Sequence, residues 1–405
     1  MSKVTSIPQL RFPEFSGEWK EKKLSDVAEI VGGGTPPTAV EKYWGGDIQW
    51  FTPTEIKNKY IVNSKRTITQ VGLDTSSARL LPKGTLLFSS RATVGEIGIA
   101  VQECTTNQGF QSFIVNKDND SEFLYNWIIK NKKEFIRRAS GSTFLEIGKS
   151  EIKKIKSNIP LLSEQQKIAA FLTAVDNKIE QLIKKQELLG EYKKGLMQQI
   201  FSQAIRFKAD DGGDYPDWEE LKLGEVARFR RGSFPQPYGN PEWYDDEDGK
   251  PFVQVYDVAG NMRLKSTTKR KISVLAQSSS VFVPKGNVVL TIQGSIGRIA
   301  LTQYDAYVDR TLLIFTGYIK EVNKQFFIYV IYLLFEIEKI KAPGGTIKTI
   351  TKEALTSFKL DLPCFDEQTK IANFLSSIDN KIEQVGKQLD ESKQFKKALL
   401  QQMFV

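Results

Sequence analysis

The sequence has no histidine, and its only cysteines are Cys104 and Cys364. Without histidine there is no Ser-His-Asp triad, no imidazole general base and no histidine metal ligand. Two cysteines so far apart fit no metal-ligand spacing, which excludes a structural zinc site and points to a reduced, cytoplasmic protein. Long hydrophobic runs are missing too. The most apolar stretch, FFIYVIYLLF at Phe326–Phe335, is roughly half the ~20 residues a membrane span requires and reads as a buried helix. The opening MSKVTSIPQLRF has no apolar core, so no signal peptide is expected.

What the chain does contain is itself, twice. EQQKIAAFLTAVDNKIEQL at Glu164–Leu182 returns as EQTKIANFLSSIDNKIEQV at Glu367–Val385. YKKGLMQQIF (Tyr192–Phe201) returns as FKKALLQQMF (Phe395–Phe404), and GSTFLEIGKSEI (Gly141–Ile152) pairs with GGTIKTITKEAL (Gly344–Leu355). WKEKKLSDVAEI from Trp19 is echoed by WEELKLGEVARF from Trp218. Units of this size imply two similar domains with similar connectors, and so a pseudo-twofold body. Duplex DNA has a local twofold axis that would suit it. The 405 residues allow two domains with full cores, and the net charge of +9 fits an anionic partner.

Residues 1–160 alternate strand-like runs (IQWFTP, TLLFSS, FQSFIV) with Gly- and Pro-marked turns. One helix is evident, with Ser121 or Asp120 as cap and Phe123, Trp127, Ile128 and Phe135 on its apolar face. Residues 204–363 repeat the plan, with the corresponding helix near Asn323–Lys341. The frames match while the loops differ.

Residues 161–203 and 364–405 read as long amphipathic helices. In the first, Ile168, Val175, Leu182, Leu189 and Leu196 recur every seventh position, with Leu172, Ile179, Gln186, Lys193 and Ile200 between them. In the second, Ile371, Ile378, Val385 and Leu399 alternate with Leu375, Ile382, Leu389, Lys396 and Met403. These are coiled-coil seams, most simply each other's antiparallel partners. Ser163 and Gln166 form a capping box that starts the first helix near Glu164. About 40 residues at ~1.5 Å each give a rod of roughly 60 Å. Lys193 and Lys396 share one polar seam position. The favoured reading has their stems reaching solvent near frayed ends; the alternative is that they set register. The expected fold class is therefore α+β, with two similar mixed domains separated by two long helices in an antiparallel coiled coil.

Three motifs suggest chemistry and fail. GSTFLEIGKS resembles a phosphate loop but has Thr143 where glycine is needed. NPEW at Asn240–Trp243 departs from the adenine-methyltransferase tetrapeptide at Glu242. In PDWEELK (Pro216–Lys222) the acids sit too close together to converge on one metal, so an opening turn and first strand are expected.

What remains is recognition chemistry. Basic, amide and hydroxyl side chains sit in Gly-rich turns of both halves: Lys57, Lys59, Tyr60, Arg91, Thr93 and Lys149 in the first; Arg230, Arg231, Gln236, Tyr238, Gln293, Ser295, Arg298 and Lys348 in the second. Such side chains read base edges and hold phosphates. An ordinary solvated loop is the alternative for each. For the chain as a whole, a self-contained enzyme with a coiled-coil spacer and a scaffold that never touches DNA stand beside this reading.

IPLLSEQQKIAAFLTAVDNKIE and LPCFDEQTKIANFLSSIDNKIE resemble the conserved regions of type I restriction–modification specificity subunits. The LRFPEFSGEW opening, echoed near IRFKADDGGDYPDW, looks like that family's domain start, and the resemblance spans the chain. It implies two target recognition domains, each reading one half of a split, asymmetric site, with the helices as a ruler for the gap. It implies no catalytic residue and no cofactor or metal on this chain. Its implied partners are double-stranded DNA, two methyltransferase subunits carrying S-adenosylmethionine, and two motor–nuclease subunits using ATP and magnesium, without a membrane.

Overall fold

The computed structural model describes residues 7–141, 145–341, 350 and 352–405. The chain divides into two units, Met1–Lys185 with Val385–Val405, and Gln186–Gln384. Four helices organise it: α1 (Ser121–Lys130), α2 (Leu162–Phe201), α3 (Lys324–Lys341) and α4 (Phe365–Gln402). No helix among the described residues is long and apolar enough to cross a membrane. The apolar run expected to be a buried helix is the core face of α3, with Phe326, Phe327, Tyr329 and Phe335 fully buried.

Among the described residues the first unit carries ten strands: β1 (Lys20–Lys23), β2 (Ala28–Gly32), β3 (Trp44–Phe51), β4 (Tyr60–Ile61), β5 (Arg66–Ile68), β6 (Leu86–Phe88), β7 (Ile97–Ala100), β8 (Cys104–Thr106), β9 (Gln111–Val115) and β10 (Lys156–Ile159). They form a sheet ordered β2-β9-β6-β7-β4, a second ordered β5-β3-β8, and the antiparallel pair β1-β10. All three strand-like runs of the sequence lie in strands, β3, β6 and β9, and β6 is buried along its whole length.

The second unit has β11 (Glu219–Lys222), β12 (Ala227–Arg231), β13 (Lys250–Val253), β14 (Arg270–Ile272), β15 (Val281–Val283), β16 (Val288–Thr291), β17 (Ile299–Leu301), β18 (Ala306–Val308), β19 (Leu312–Tyr318) and β20 (Lys359–Leu362). Its sheets run β12-β19-β16-β17 and β14-β13-β18-β15, with the pair β11-β20. The plan is that of the first unit. The parallel pair β3-β8 answers to β13-β18. β15 is reduced in the first unit to the bridge Leu81↔Cys104, and β4 is reduced in the second to the bridge Arg263↔Leu301.

The repeated Glu-Gln of the sequence explains how each long helix is fixed to its sheets. Arg11 donates from Nε and Nη2 to the two oxygens of Glu164, both at 2.8 Å, and Trp19 Nε1 adds a bond at 3.2 Å. In the second unit Arg206 reaches Glu367 at 3.3 and 2.8 Å, and Trp218 Nε1 adds a bond at 3.0 Å. Both glutamates are buried, so the fork of donors is what makes their burial tolerable. The glutamines beside them are buried too. Gln165 donates to the Pro160 carbonyl and accepts from the Asp120 N–H; Gln368 donates to Pro363 and accepts from Asn323.

Two boundaries differ from the sequence expectation. α2 starts at Leu162, its first backbone bonds going from Glu164 and Gln165 to the Leu161 carbonyl. Ser163 therefore lies inside the first turn and is not the cap. α1 is capped by Asp120, whose Oδ1 accepts the Phe123 N–H at 2.9 Å, and it ends at Asn131 rather than running on through Phe135. Asn131 turns its side chain onto the Trp127 carbonyl, which competes with the next helical bond.

Within each unit the long helices pack antiparallel along the expected seam. In the first, Ile168 and Leu172 share a core with Leu399 and Met403; in the second, Met197 and Ile200 share one with Ile371 and Leu375. Of the seam residues, Leu182, Ile378, Val385 and Leu389 are buried, while Val175, Ile179, Leu189, Leu196 and Ile382 are half-buried. The seam lysines depart from expectation. Lys193 is 12% exposed and pairs with Asp379 at 2.6 Å. Lys396 pairs with Asp176. Their ammonium groups are held by carboxylates of the opposite helix and do not extend to solvent.

Candidate nucleic-acid interface

Three loops meet in the same way in each unit. The first is the hairpin between β6 and β7, matched by that between β16 and β17. Ser89 N–H bonds to the Glu96 carbonyl and Gly95 N–H to Ser89; Thr291 bonds to Arg298 and Gly297 to Thr291 in the same pattern. Ala92 (φ 63°) and Gly294 (φ 69°) sit left-handed at the equivalent tip position. Arg91 and Thr93 on one hairpin thus occupy the places of Gln293 and Ser295 on the other, all exposed.

The second loop joins β8 to β9, and β18 to β19. Asn107 Oδ1 accepts the Gly109 N–H at 2.9 Å, and Asp309 Oδ1 accepts the Thr311 N–H at 3.0 Å. These are Asx turns. Each is bonded to the hairpin beside it, Ser90 N–H to the Gly109 carbonyl and Ile292 N–H to the Thr311 carbonyl. The third loop follows β2 or β12 and lies flat on the turn through a glycine. A Cβ on Gly33 would come within 2.0 Å of the Asn107 carbonyl oxygen, and one on Gly232 within 2.3 Å of the Val308 carbonyl oxygen. No other residue allows that approach.

Several of the residues expected from the sequence gather at these loops. In the first unit the chain at 145–147 adds to the hairpin, with Ala92 N–H on the Leu145 carbonyl and Ile147 N–H on Ser90. This brings Arg91 to 3.7 Å from Glu146, both well exposed. Lys149 follows, exposed, as the first residue of a short helix. In the second unit Gln236 is exposed in the loop after β12, and Tyr238 OH donates to Asp309 at 3.1 Å. Burial and the Asp309 carboxylate hold the Tyr238 phenol well above its ordinary value, so it stays a donor. Arg230 and Arg231 are exposed at the end of β12, and exposed Arg298 ends its hairpin.

The remaining residues lie elsewhere. Lys57 is exposed in the turn before β4. Lys59, with its side chain 9% exposed, pairs with Glu122 at 2.6 Å and Asp176 at 3.1 Å, and Tyr60 OH donates to Glu122. These two fasten β4 to α1 and α2 and are away from the three loops. Lys348 lies outside the described residues, as does most of the Gly344–Leu355 segment.

The rejected motifs have structural roles. Asn240 of NPEW caps a short 3-10 turn by accepting the Glu242 N–H. PDWEELK supplies Trp218 to the Glu367 clamp and then forms β11. Sequence reading passed over the tips of the Asx turns, Gln108 and Arg310, because Asn-Gln-Gly and Asp-Arg-Thr share few letters. The available signal was an Asn or Asp directly after a short strand.

A family model described as the type I restriction modification DNA specificity domain matches residues 16–189 and again 215–392. The MjaIX type I restriction enzyme specificity subunit of Methanocaldococcus jannaschii is 30% identical over 410 residues, 95% of this chain and 92% of its own length. The MjaVIII specificity subunit of the same organism is 25% identical over 408 residues, with 96% and 92% coverage. The crystal structure of a type I restriction–modification S subunit from M. genitalium shares the fold, with TM-score 0.62 at 17% identity over 98% of this chain and 99% of that one. The chain belongs to the type I restriction–modification DNA specificity family, as a non-catalytic specificity subunit whose task is DNA sequence recognition.

Proposed function

We propose that each unit reads one half of a split, asymmetric duplex site through its three-loop cluster. The observation that carries this is the pairing of one backbone frame with two sets of exposed side chains: Arg91 and Thr93 in one unit stand where Gln293 and Ser295 stand in the other. An identical frame meets equivalent strands of a duplex, while different tips select different bases. Lys149, Arg230, Arg231 and Arg298 serve as phosphate contacts around these tips, and Lys57 as a further one outside the loop cluster. Half-sites on one face of B-DNA lie about one turn, ~34 Å, apart, a separation for α2 and α4 to set. The same helices dock two methyltransferase subunits, to which two motor–nuclease subunits join. S-adenosylmethionine, ATP and magnesium belong to those partners in the cytoplasm, and this chain binds no cofactor of its own.

The test is a genome-wide map of methyladenine in the host with and without the gene. Loss of one split, asymmetric motif is the expected result. Methylation or cleavage by the purified chain alone, supplied with magnesium and S-adenosylmethionine, would overturn the non-catalytic role.

A further inference from the structure

The tips of the two neighbouring loops carry an arginine and a glutamine in each unit, in opposite order. In the first unit the hairpin presents Arg91 and the Asx turn presents Gln108. In the second the hairpin presents Gln293 and the turn presents Arg310. All four are exposed, and the backbone bonds that join hairpin to turn are the same in both units. We propose that Gln108 and Arg310 are specificity-determining residues and that each works with the neighbouring hairpin residue as a purine-reading pair, inverted between the two units. This rests on the half-site reading above and deepens it.

The chemistry follows from what each side chain can offer. Arginine presents paired donors to guanine O6 and N7; glutamine presents one acceptor and one donor to adenine N6 and N7. Gln108 is held in place by the Thr35 hydroxyl, which donates to its Oε1 at 2.5 Å. Among the described residues its amide nitrogen has no partner, and Oε1 keeps a second lone pair. The Arg310 guanidinium lies 5.7 Å from the Tyr238 ring centroid. Among the described residues no carboxylate or carbonyl pairs with it. Arg91 faces Glu146 at 3.7 Å in an exposed pair, a contact weak enough to give way to a base. The first position of each turn is occupied structurally in both units, since Asn107 and Asp309 spend a side-chain oxygen on their own turns. The tip residue between is the one free to reach outward. One half-site should therefore contain a guanine and an adenine in one order, and the other half-site should contain them reversed.

Methyladenine mapping in cells carrying the wild-type chain, Gln108→Ala or Arg310→Ala tests this, with thermal melting of each purified variant to confirm folding. The expected result is relaxed selection at one position of one half-site per variant, with the other half-site intact. The relative methylation of matched and altered sites should change on the order of 5- to 150-fold, the range one bidentate base contact discriminates. An unchanged motif in both variants, or one changed in both halves at once, would overturn the proposal while leaving the half-site reading in place. Should an alanine variant fold but methylate nothing, Gln108→Arg and Arg310→Gln decide. A motif altered at one position toward guanine or adenine, respectively, supports the assignment; an unaltered motif or continued loss refutes it. A wild-type chain that directs no split motif sinks the half-site reading itself.

Discussion

The Lys193 ammonium lies 2.6 Å from the Asp379 carboxylate, and Tyr329 OH donates to the other oxygen of that carboxylate at 2.6 Å. Asp379 belongs to the second copy of the repeated DNKIE, and the first copy's Asp176 holds Lys396. Each helix thus gives one aspartate and takes one lysine, and a heptad slip would part both pairs. Removing the carboxylate strands a partly buried ammonium. Asp379→Ala should cost roughly 1–3 kcal/mol, below the 3–5 of a fully buried pair because some solvent reaches it. A double-mutant cycle with Lys193→Met by urea unfolding checks this. Additive single losses would show that the two groups are near each other without being coupled.

The Arg-Glu-Trp clamps make a second prediction. Glu367 has no exposed side-chain surface, so Arg206→Ala leaves a buried carboxylate with only Trp218 Nε1 as a side-chain partner. A loss of about 2–4 kcal/mol is expected, and Arg206→Lys should recover little because an ammonium cannot fork onto both oxygens. Chemical denaturation monitored by tryptophan fluorescence reads it. Recovery by lysine would mean that charge alone matters.

The two aspartate–lysine pairs also show where sequence reasoning stops. The heptads of α2 and α4 were legible because burial repeats every seven residues, and the strands as short apolar runs between Gly- and Pro-marked turns. The repeated Glu-Gln was visible as letters, yet its physical meaning depends on Arg11, Trp19 and the Pro160 carbonyl, brought to one place only by folding. Lys59 read as a recognition lysine in a turn, since its two carboxylate partners lie on α1 and α2, far along the chain. The equivalence of Gln108 and Arg310 was hidden for a related reason. Their turns share backbone geometry while their sequences diverge, and divergence at matched positions is what the proposed reading of two different half-sites requires.

Lys59 supports a prediction about pH. Burial pulls its pKa down, but the hydrogen bond and charge of Glu122, with those of Asp176, outweigh it and hold the group above the ordinary 10.5. A cation with a raised folded pKa contributes stability that is complete below the unfolded value. That contribution is lost as the pH climbs from about 10.5 through the higher folded value. The difference in melting temperature between wild type and Lys59→Met should therefore be constant between roughly pH 8 and 10 and shrink above it. A gap that widens with alkali would reverse the assignment.

The seam predicts a geometric effect on recognition. One heptad shortens a helix by about 10.5 Å, close to three base-pair steps. Deleting Gln186–Tyr192 together with the matching Leu389–Phe395 keeps both seams in phase. Methylation should then appear at the same half-sites with a shorter gap, or vanish if the partners no longer fit. An unchanged motif with unchanged spacing would refute the idea that the helices measure the gap.

The last prediction comes from one bond that occurs twice. Ile205 N–H bonds to the Gln199 carbonyl at 3.2 Å, just past the end of α2; Leu10 N–H bonds to the Gln402 carbonyl at 2.9 Å, at the end of α4. Gln199 and Gln402 are the same residue of the repeat, as are the Ile-Arg-Phe and Leu-Arg-Phe that follow each bond. Around Ile205 the two partners are joined by a few residues of chain; around Leu10 they come from distant ends of the sequence. The repeat is therefore closed in structure at Leu10 by a contact between segments remote along the chain. A chain with Val405 fused to Met1 and opened between Gln203 and Ala204 should fold with the same circular dichroism and direct the same methylation motif. The cut falls at an exposed turn, where Gln203 sits left-handed at φ 60° and no strand or helix is interrupted. Loss of folding in the permutant would mean that the covalent link at residues 200–204 does more than the non-covalent one at Leu10. Retention of the motif would show that the packing of each unit, rather than the order of the chain, determines which half-site is read.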